Sequence, residues 1–328
     1  MHGLYLLWWV QERQIAPAVV GSILAAGDLA LVFLEIPTGR FADRFGHRAS
    51  LILGSLVQVA GMLCCWLGHG VPALVAASVL VAIGDAFRSG ADQALHYRTC
   101  ATLDRKAAFQ RIEAQTRTAE LVALVGLTLA GGLIVRVWGF AAAWVAESTL
   151  CAAGLGIAWA MTEPPPARIE EDDCAAPEAR ASIASLRMAL LIVPASALGA
   201  AAGAAAFVAQ LSGRDPAALT LLVAAITLIE AAGSAAASRM PPAGARAQVV
   251  LGGIAAVLFA LGAGLPPAFQ PVVFALAFLQ GVAEPLRAAA IQRLAADDVR
   301  AQAASAASAC DKALLTIALP AAGVWRSR

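Results

Sequence analysis

Apolar residues run along this chain in long continuous blocks separated by short polar breaks, at 17–37, 50–68, 71–95, 114–136, 139–162, 187–210, 216–237, 248–265, 270–292 and 301–324. Each block is long enough for about 30 Å of hydrocarbon at about 1.5 Å per residue, some with tilt. In lipid the backbone must satisfy its own polar groups, so the blocks are predicted to be helices. Their apolar runs are unbroken rather than alternating, which excludes a membrane barrel. A further block at 4–10 falls short of spanning length. The pattern therefore predicts an all-α, polytopic integral membrane protein with ten full spans and a partial first helix.

Composition strengthens this reading. Of the 328 residues 60% are hydrophobic and 14% charged, with a mean hydropathy of +0.75. Soluble domains carry about 25% charged residues. Net charge is +1 and no basic arm or aromatic-basic face is present, so nucleic acid is excluded as a partner. Sixteen of the 23 Lys and Arg fall in alternate breaks, among them Arg40, Arg44, Arg48, Arg98, Arg105, Arg111, Arg117, Arg168, Arg239 and Arg293. The positive-inside rule puts those breaks in the cytoplasm of a cell membrane. Block 4–10 lacks a basic leader and a cleavage site, and does not read as a secretory signal.

The six cysteines form no CxxC and read as buried structural thiols. The four histidines are scattered, with no HExxH. Neither a metal nor another cofactor is expected. A GxxxxGK[ST] loop is absent, which excludes an ATP-driven pump by itself.

The longest polar break opens with Glu163-Pro-Pro-Pro and carries the acidic run Glu170-Glu171-Asp172-Asp173, and it reads as a cytoplasmic linker. It divides the chain into an N-terminal bundle (1–162), the linker (163–186) and a C-terminal bundle (187–328). The halves match in order. Gly46, Arg48, Leu53 and Gly54 align with Gly244, Arg246, Leu251 and Gly252. Asp85-x-x-Arg88 aligns with Glu284-x-x-Arg287, and Glu120 with Asp311. Parallel repeats about an axis normal to the membrane are an architecture of secondary transporters.

The most specific segment is Glu35-Ile-Pro-Thr-Gly39-Arg-Phe-Ala-Asp43-Arg44-Phe-Gly46-His-Arg48. Physically it is a tight turn between two helices. Gly39 and Gly46 allow close backbone approach or positive φ. Asp43 offers an anion to a facing cation or a helix N-terminus, and Arg44 and Arg48 hold the turn on the basic side.

Gly39-x-x-x-Asp43-Arg44-x-Gly46-x-Arg48 resembles the signature loop between the second and third helices of the major facilitator superfamily. Loop position, central linker, half-repeat and helix order extend the resemblance over nearly the whole chain. It implies two bundles rocking about a central cavity. It also implies that Asp43 latches the cytoplasmic gate, pairing with Arg88 and facing the region from Gln302 to Ser308. The second half's loop, Arg239 to Arg246, has Pro241 where Asp43 sits. The family's drug–proton antiporters carry Gly-Pro-x-x-Gly-Gly on the fifth helix; here only Gly131 and Gly132 match. Relative to the family, the first helix is partial and the twelfth missing.

An ionisable group at bilayer depth costs several kcal/mol and is a functional candidate by default. Asp28 and Glu147 lie about 16 Å and about 12 Å into their spans by helical rise, which suits proton coupling or substrate contact. Asp85, Arg88, Glu284 and Arg287, with Glu120 and Asp311, read as a gate network, each acid–arginine pair sharing one helix face. Glu230 is unassigned. Trp8, Trp9, Trp138 and Trp144 read as interfacial anchors, with the lining of a cavity as the alternative for Trp8 and Trp9.

The resulting expectation is a monomeric, proton-coupled secondary transporter of a small solute in the lipid bilayer. Two alternatives remain: a truncated, transport-inactive relic of the same fold, and a drug or metabolite efflux antiporter. A membrane-embedded enzyme would need a clustered nucleophile, base or metal set, which the sequence does not show.

Overall fold

The computed structural model describes residues 8–9, 12–15, 17–165, 177–212, 216–263, 269–295 and 300–326. Of Asp28 only the backbone is described; its side chain, and the acidic run 170–173, lie outside the described residues, as does most of block 4–10. The helices are α1 (Pro17–Phe45), α2 (His47–Leu67), α3 (Gly70–Arg88), α4 (Ala91–Thr102), α5 (Phe109–Ala160), α6 (Pro177–Ser212), α7 (Pro216–Ala237), α8 (Ala245–Ala263), α9 (Phe269–Leu294) and α10 (Arg300–Arg326). Nine of the ten expected spans fall on a single helix each, and the span at 71–95 falls across α3 and α4.

Among the described residues, five helical stretches are long and apolar enough to cross a membrane: 47–67, 70–102, 106–160, 186–206 and 271–294. The 106–160 stretch holds two expected spans. A straight helix of 52 residues would reach about 78 Å, more than twice the hydrocarbon thickness. Gly139 breaks α5 with φ 79° and ψ 176°, so two helices meet there at a kink without an intervening loop. The span expected at 71–95 is also broken. Gly90, at φ +73°, ends α3 and lets α4 start in a new direction.

Two compact units form. The first comprises 1–95, 126–163 and 301–312. Its helices meet through small residues: a Cβ added to Gly84 of α3 would sit 2.9 Å from the carbonyl oxygen of Gly54 in α2. Thr38 of α1 donates to the Ala86 carbonyl at 2.8 Å, tying α1 to α3. Val71, Val75 and Val79 form an exposed stripe one turn apart on α3, a surface suited to lipid.

Three of the four tryptophans differ from expectation. Trp8, Trp9 and Trp144 are buried in one cluster with Met62, Cys65 and Leu74. The Trp9 indole N–H donates to Cys65 Sγ at 3.0 Å, and Arg13 lies over the Trp8 ring. These indoles find partners inside the unit, so they do not need the interface. Trp138 is exposed, as an anchor should be.

The second unit comprises 96–125, 164–300 and 313–328. Here α7 and α9 cross backbone to backbone, since Cβ atoms on Gly233 and Gly281 would lie 2.1 Å and 2.0 Å from the carbonyl oxygens of Phe278 and Glu230. Gly252 of α8 packs on Pro194 of α6 in the same way. Helix α9 is the most enclosed span, with 61% of its apolar window buried against 11% for the 106–160 stretch.

Candidate latch and charge network

The signature loop closes on the start of α10. The Asp43 carboxylate accepts the backbone N–H groups of Ala301 and Gln302, both at 3.1 Å. Those are the donors that a helix start leaves without partners, so Asp43 caps α10 from another helix, and its charge matches the positive end of the helix dipole. The two glycines divide the roles that sequence left open. Gly39 gives close approach: a Cβ there would stand 2.9 Å from Gln302 Cα and 3.0 Å from Ser305 Oγ. Gly46 gives positive φ, at +103°. From the other side Gly90 meets α10, where a Cβ would fall 2.5 Å from the Ala301 carbonyl oxygen. The Ser305 hydroxyl donates to the Ser89 carbonyl at 3.0 Å.

The far end of the loop is held by Glu163, at the opening of the stretch read as linker. Its carboxylate accepts the backbone N–H groups of His47 at 3.1 Å and Arg48 at 2.6 Å, capping α2. The Arg48 guanidinium donates to the Trp159 carbonyl at 2.7 Å. Arg44 is exposed, 5.5 Å from the Phe45 ring centroid.

Arg88 donates to Gln58 Oε1 at 2.6 Å and lies 4.0 Å from Asp85 one turn earlier. Both are half-exposed. Glu147 is half-buried on the second part of α5, and Cys151 one turn later lies in the fields of Glu147, Arg88 and Asp85. These four polar residues therefore share one neighbourhood in the first unit. Asp311, half-buried on α10, lies beside Glu35 of α1.

The other expected gate residues gather in the second unit around Arg117, which the charge pattern alone assigns to a basic break. Arg117 of α5 bridges Glu120 at 3.0 Å and Glu230 of α7 at 3.2 Å. Glu284 pairs with Arg287 at 2.6 Å, and Arg287, itself buried, donates to Ser196 of α6. Glu284 also lies in the field of Arg117. Two arginines and three carboxylates from α5, α7 and α9 thus form one network, and Glu230 finds its place there.

The second half's loop lacks the aspartate but is held nonetheless. The Gln110 side-chain amide, at the start of α5, donates to the Met240 and Pro241 carbonyls at 3.1 and 3.3 Å. Arg293 donates to the Ala243 carbonyl at 2.9 Å. The polarity is reversed relative to the first loop. There a loop carboxylate accepts from a helix start; here the helix start carries the donor and the loop supplies carbonyls. Nearby, His96 and Glu113 meet at 2.7 Å, with the imidazole edge-on to Phe109. Among the described residues no group of three His, Cys, Asp or Glu side chains could hold a metal ion.

Spanning helices, tight glycine crossings and a loop clamped on a helix start define a multi-pass helical membrane protein. The chain belongs to the Major Facilitator Superfamily, whose sequence profile matches residues 1–313. No curated protein matches it. Solved structures do. The proton:xylose symporter XylE, bound to 6-bromo-6-deoxy-D-glucose, superposes with a TM-score of 0.71 at 16% identity, covering 96% of this chain and 82% of that one. The E. coli fucose:proton symporter FucP gives 0.63 at 10% identity, covering 98% and 89%. The human organic anion transporter MFSD10 gives 0.63 at 17% identity, covering 99% and 88%. At these identities the likeness is one of fold.

Proposed function

We propose that this protein is a secondary active transporter that carries a small solute across the cytoplasmic membrane by alternating access, coupled to protons. The observation that carries the reading is the Asp43 cap on α10. A gate must close and reopen in every cycle, so its latch has to be weak. A side-chain cap contributes about 1 kcal/mol, and 1.4 kcal/mol is a tenfold bias, so such a contact favours closure without locking it. Gly39, Gly46, Arg44 and Arg48 shape and orient that latch. In this reading Asp85/Arg88, the Arg117 network and Asp311 are gate elements, and 1–162 and 187–328 are the two bundles that rock, as a monomer.

Asp28 and Glu147 are the coupling candidates, from their depth in the span. The fold relatives, two proton:sugar symporters and an organic anion transporter, support a small polar solute and a proton as cargo. Sugars and small organic anions are therefore the first panel to test. In vesicles holding the purified chain, a pH gradient should drive uptake of one of these solutes. Asp28→Asn should abolish that uptake with the protein still inserted and folded. Unchanged uptake in Asp28→Asn would remove Asp28 from the mechanism.

A further inference from the structure

A carboxylate that sequence reading passed over lies two turns before Asp43 on the same face of α1. Glu35 is fully buried. One of its oxygens, Oε1, accepts the hydroxyl of Ser308 on α10. The other, Oε2, is buried with no hydrogen-bond partner. The groups facing it are Ser308, Asp311 and Lys312 from α10, and Ser89 from the end of α3. The two charged neighbours have opposite signs and adjoin each other in sequence.

Residues 35, 39 and 43 recur every four positions, so they form one stripe on α1. Each meets the same helix: Glu35 at Ser308, Gly39 at Gln302 and Ser305, Asp43 at Ala301 and Gln302. The seam thus has a charge-capped end at Asp43 and a fully enclosed carboxyl two turns deeper. Glu35 has no exposed surface while the seam is shut, and parting α1 from α10 would open the carboxyl to water.

We propose that Glu35 is a proton-binding site that couples closure of the α1–α10 seam to uptake of one proton. As an anion the carboxylate would require donors at both oxygens, but the closed seam, with the Ser308 hydroxyl on Oε1 and the Ser89 side chain beside the carboxyl, leaves Oε2 without one. A buried anionic oxygen left without a donor carries its full desolvation cost, and for a charged group that cost far exceeds the same cost for a neutral acid. The closed seam therefore holds the neutral carboxylic acid. Once the seam parts, water solvates both oxygens and the proton leaves to solvent. Closure takes the proton back from solvent onto a carboxylate oxygen, so charge and atoms balance with water as the only other participant. Asp43 differs in kind: it is satisfied as an anion by two N–H groups and keeps its charge while the latch is shut.

By linkage, a one-proton closure makes the open fraction rise with pH by up to about tenfold per pH unit across the titration. The inference rests on the transporter reading only in that the seam opens during the working cycle; it makes no use of which solute is carried.

Hydrogen exchange on the purified full-length chain reads seam opening directly, through the protection of the amides at 301–312 after correction for intrinsic rates. In the parent protein, protection of this segment should fall as pH rises, by up to tenfold per unit, while α9 keeps its protection. Glu35→Gln, which fixes a neutral side chain of the same size, should hold the segment protected at every pH. Ser308→Ala, which removes the hydroxyl bonded to Oε1, should displace the transition toward alkaline pH. A parent whose 301–312 protection does not vary with pH overturns the proposal. So does a folded Glu35→Gln variant that keeps the parent's pH dependence. If Glu35→Gln fails to fold, an unmoved transition in Ser308→Ala overturns it by itself. Solute uptake driven by a pH gradient is a separate measurement, so failure of the transport reading and failure of the Glu35 site give different signatures.

Discussion

Asp43 shows how much one carboxylate can hold. It satisfies two backbone donors at the start of α10 without belonging to that helix. Replacing it by Ala leaves both N–H groups without their acceptor, at a cost of about 1–2 kcal/mol for the lost cap and charge. Exchange at 301–303 should then rise by roughly five- to thirtyfold at all pH values. An unchanged rate would mean the cap is incidental to closure. The residues of this loop could be read from sequence because a glycine–aspartate–glycine spacing constrains its geometry. Glu35 and Arg117 could not. The four-residue spacing puts Glu35 on the motif's face, but nothing in the sequence shows that α10 encloses it there. Arg117 sorts with the basic break before it by charge although it already lies inside the apolar block at 114–136, and α5, which begins at Phe109, carries it two turns into the helix.

Between elements, the glycines decide which helices can meet. Gly90 combines positive φ with a backbone oxygen 2.5 Å from where a Cβ would stand. Backbone cannot shift as a flexible side chain can, so Gly90→Ala should destabilise the first unit by about 1–3 kcal/mol. Thermal unfolding in detergent should register this as a lowered Tm. Gly132 is the control, since nothing lies within 4 Å of its would-be Cβ, and Gly132→Ala should leave Tm unchanged or slightly raised. Equal effects at the two sites would contradict the packing described. The breaks at Gly90 and Gly139 escaped sequence reading for a common reason. Hydropathy registers burial in lipid and continues through a glycine that turns the chain, so it shows spans but not where a span bends.

Over the whole molecule, the two halves keep a common plan and change its chemistry. Asp85/Arg88 and Glu284/Arg287 occupy corresponding repeat positions, and both form pairs one turn apart. The first pair is half-exposed, whereas the second is enclosed and extended by Arg117, Glu120 and Glu230. The motif loop keeps its aspartate in the first half and is held through Gln110 in the second. A neutral amide on carbonyls does not titrate, so the Gln110 clamp adds no pH response of its own. In the Arg117 network, removing the cation leaves carboxylates facing one another. Arg117→Ala should therefore cost about 1–3 kcal/mol, the network being partly exposed, and adding Glu230→Gln should recover part of it, as a double-mutant cycle on unfolding would register. Purely additive effects would mean the network is not coupled.

The claim that most needs direct proof is alternating access. It can be tested without knowing the solute, by placing a cysteine at Glu147 and following its alkylation by a membrane-impermeant maleimide in right-side-out and inside-out vesicles, with the parent protein giving the background from its own thiols. The account predicts that Glu147→Cys reacts from both sides. It also predicts that adding Asp43→Ala raises the rate from the side where the signature loop lies and lowers it from the other. Reaction from a single side, unaffected by Asp43→Ala, would contradict it.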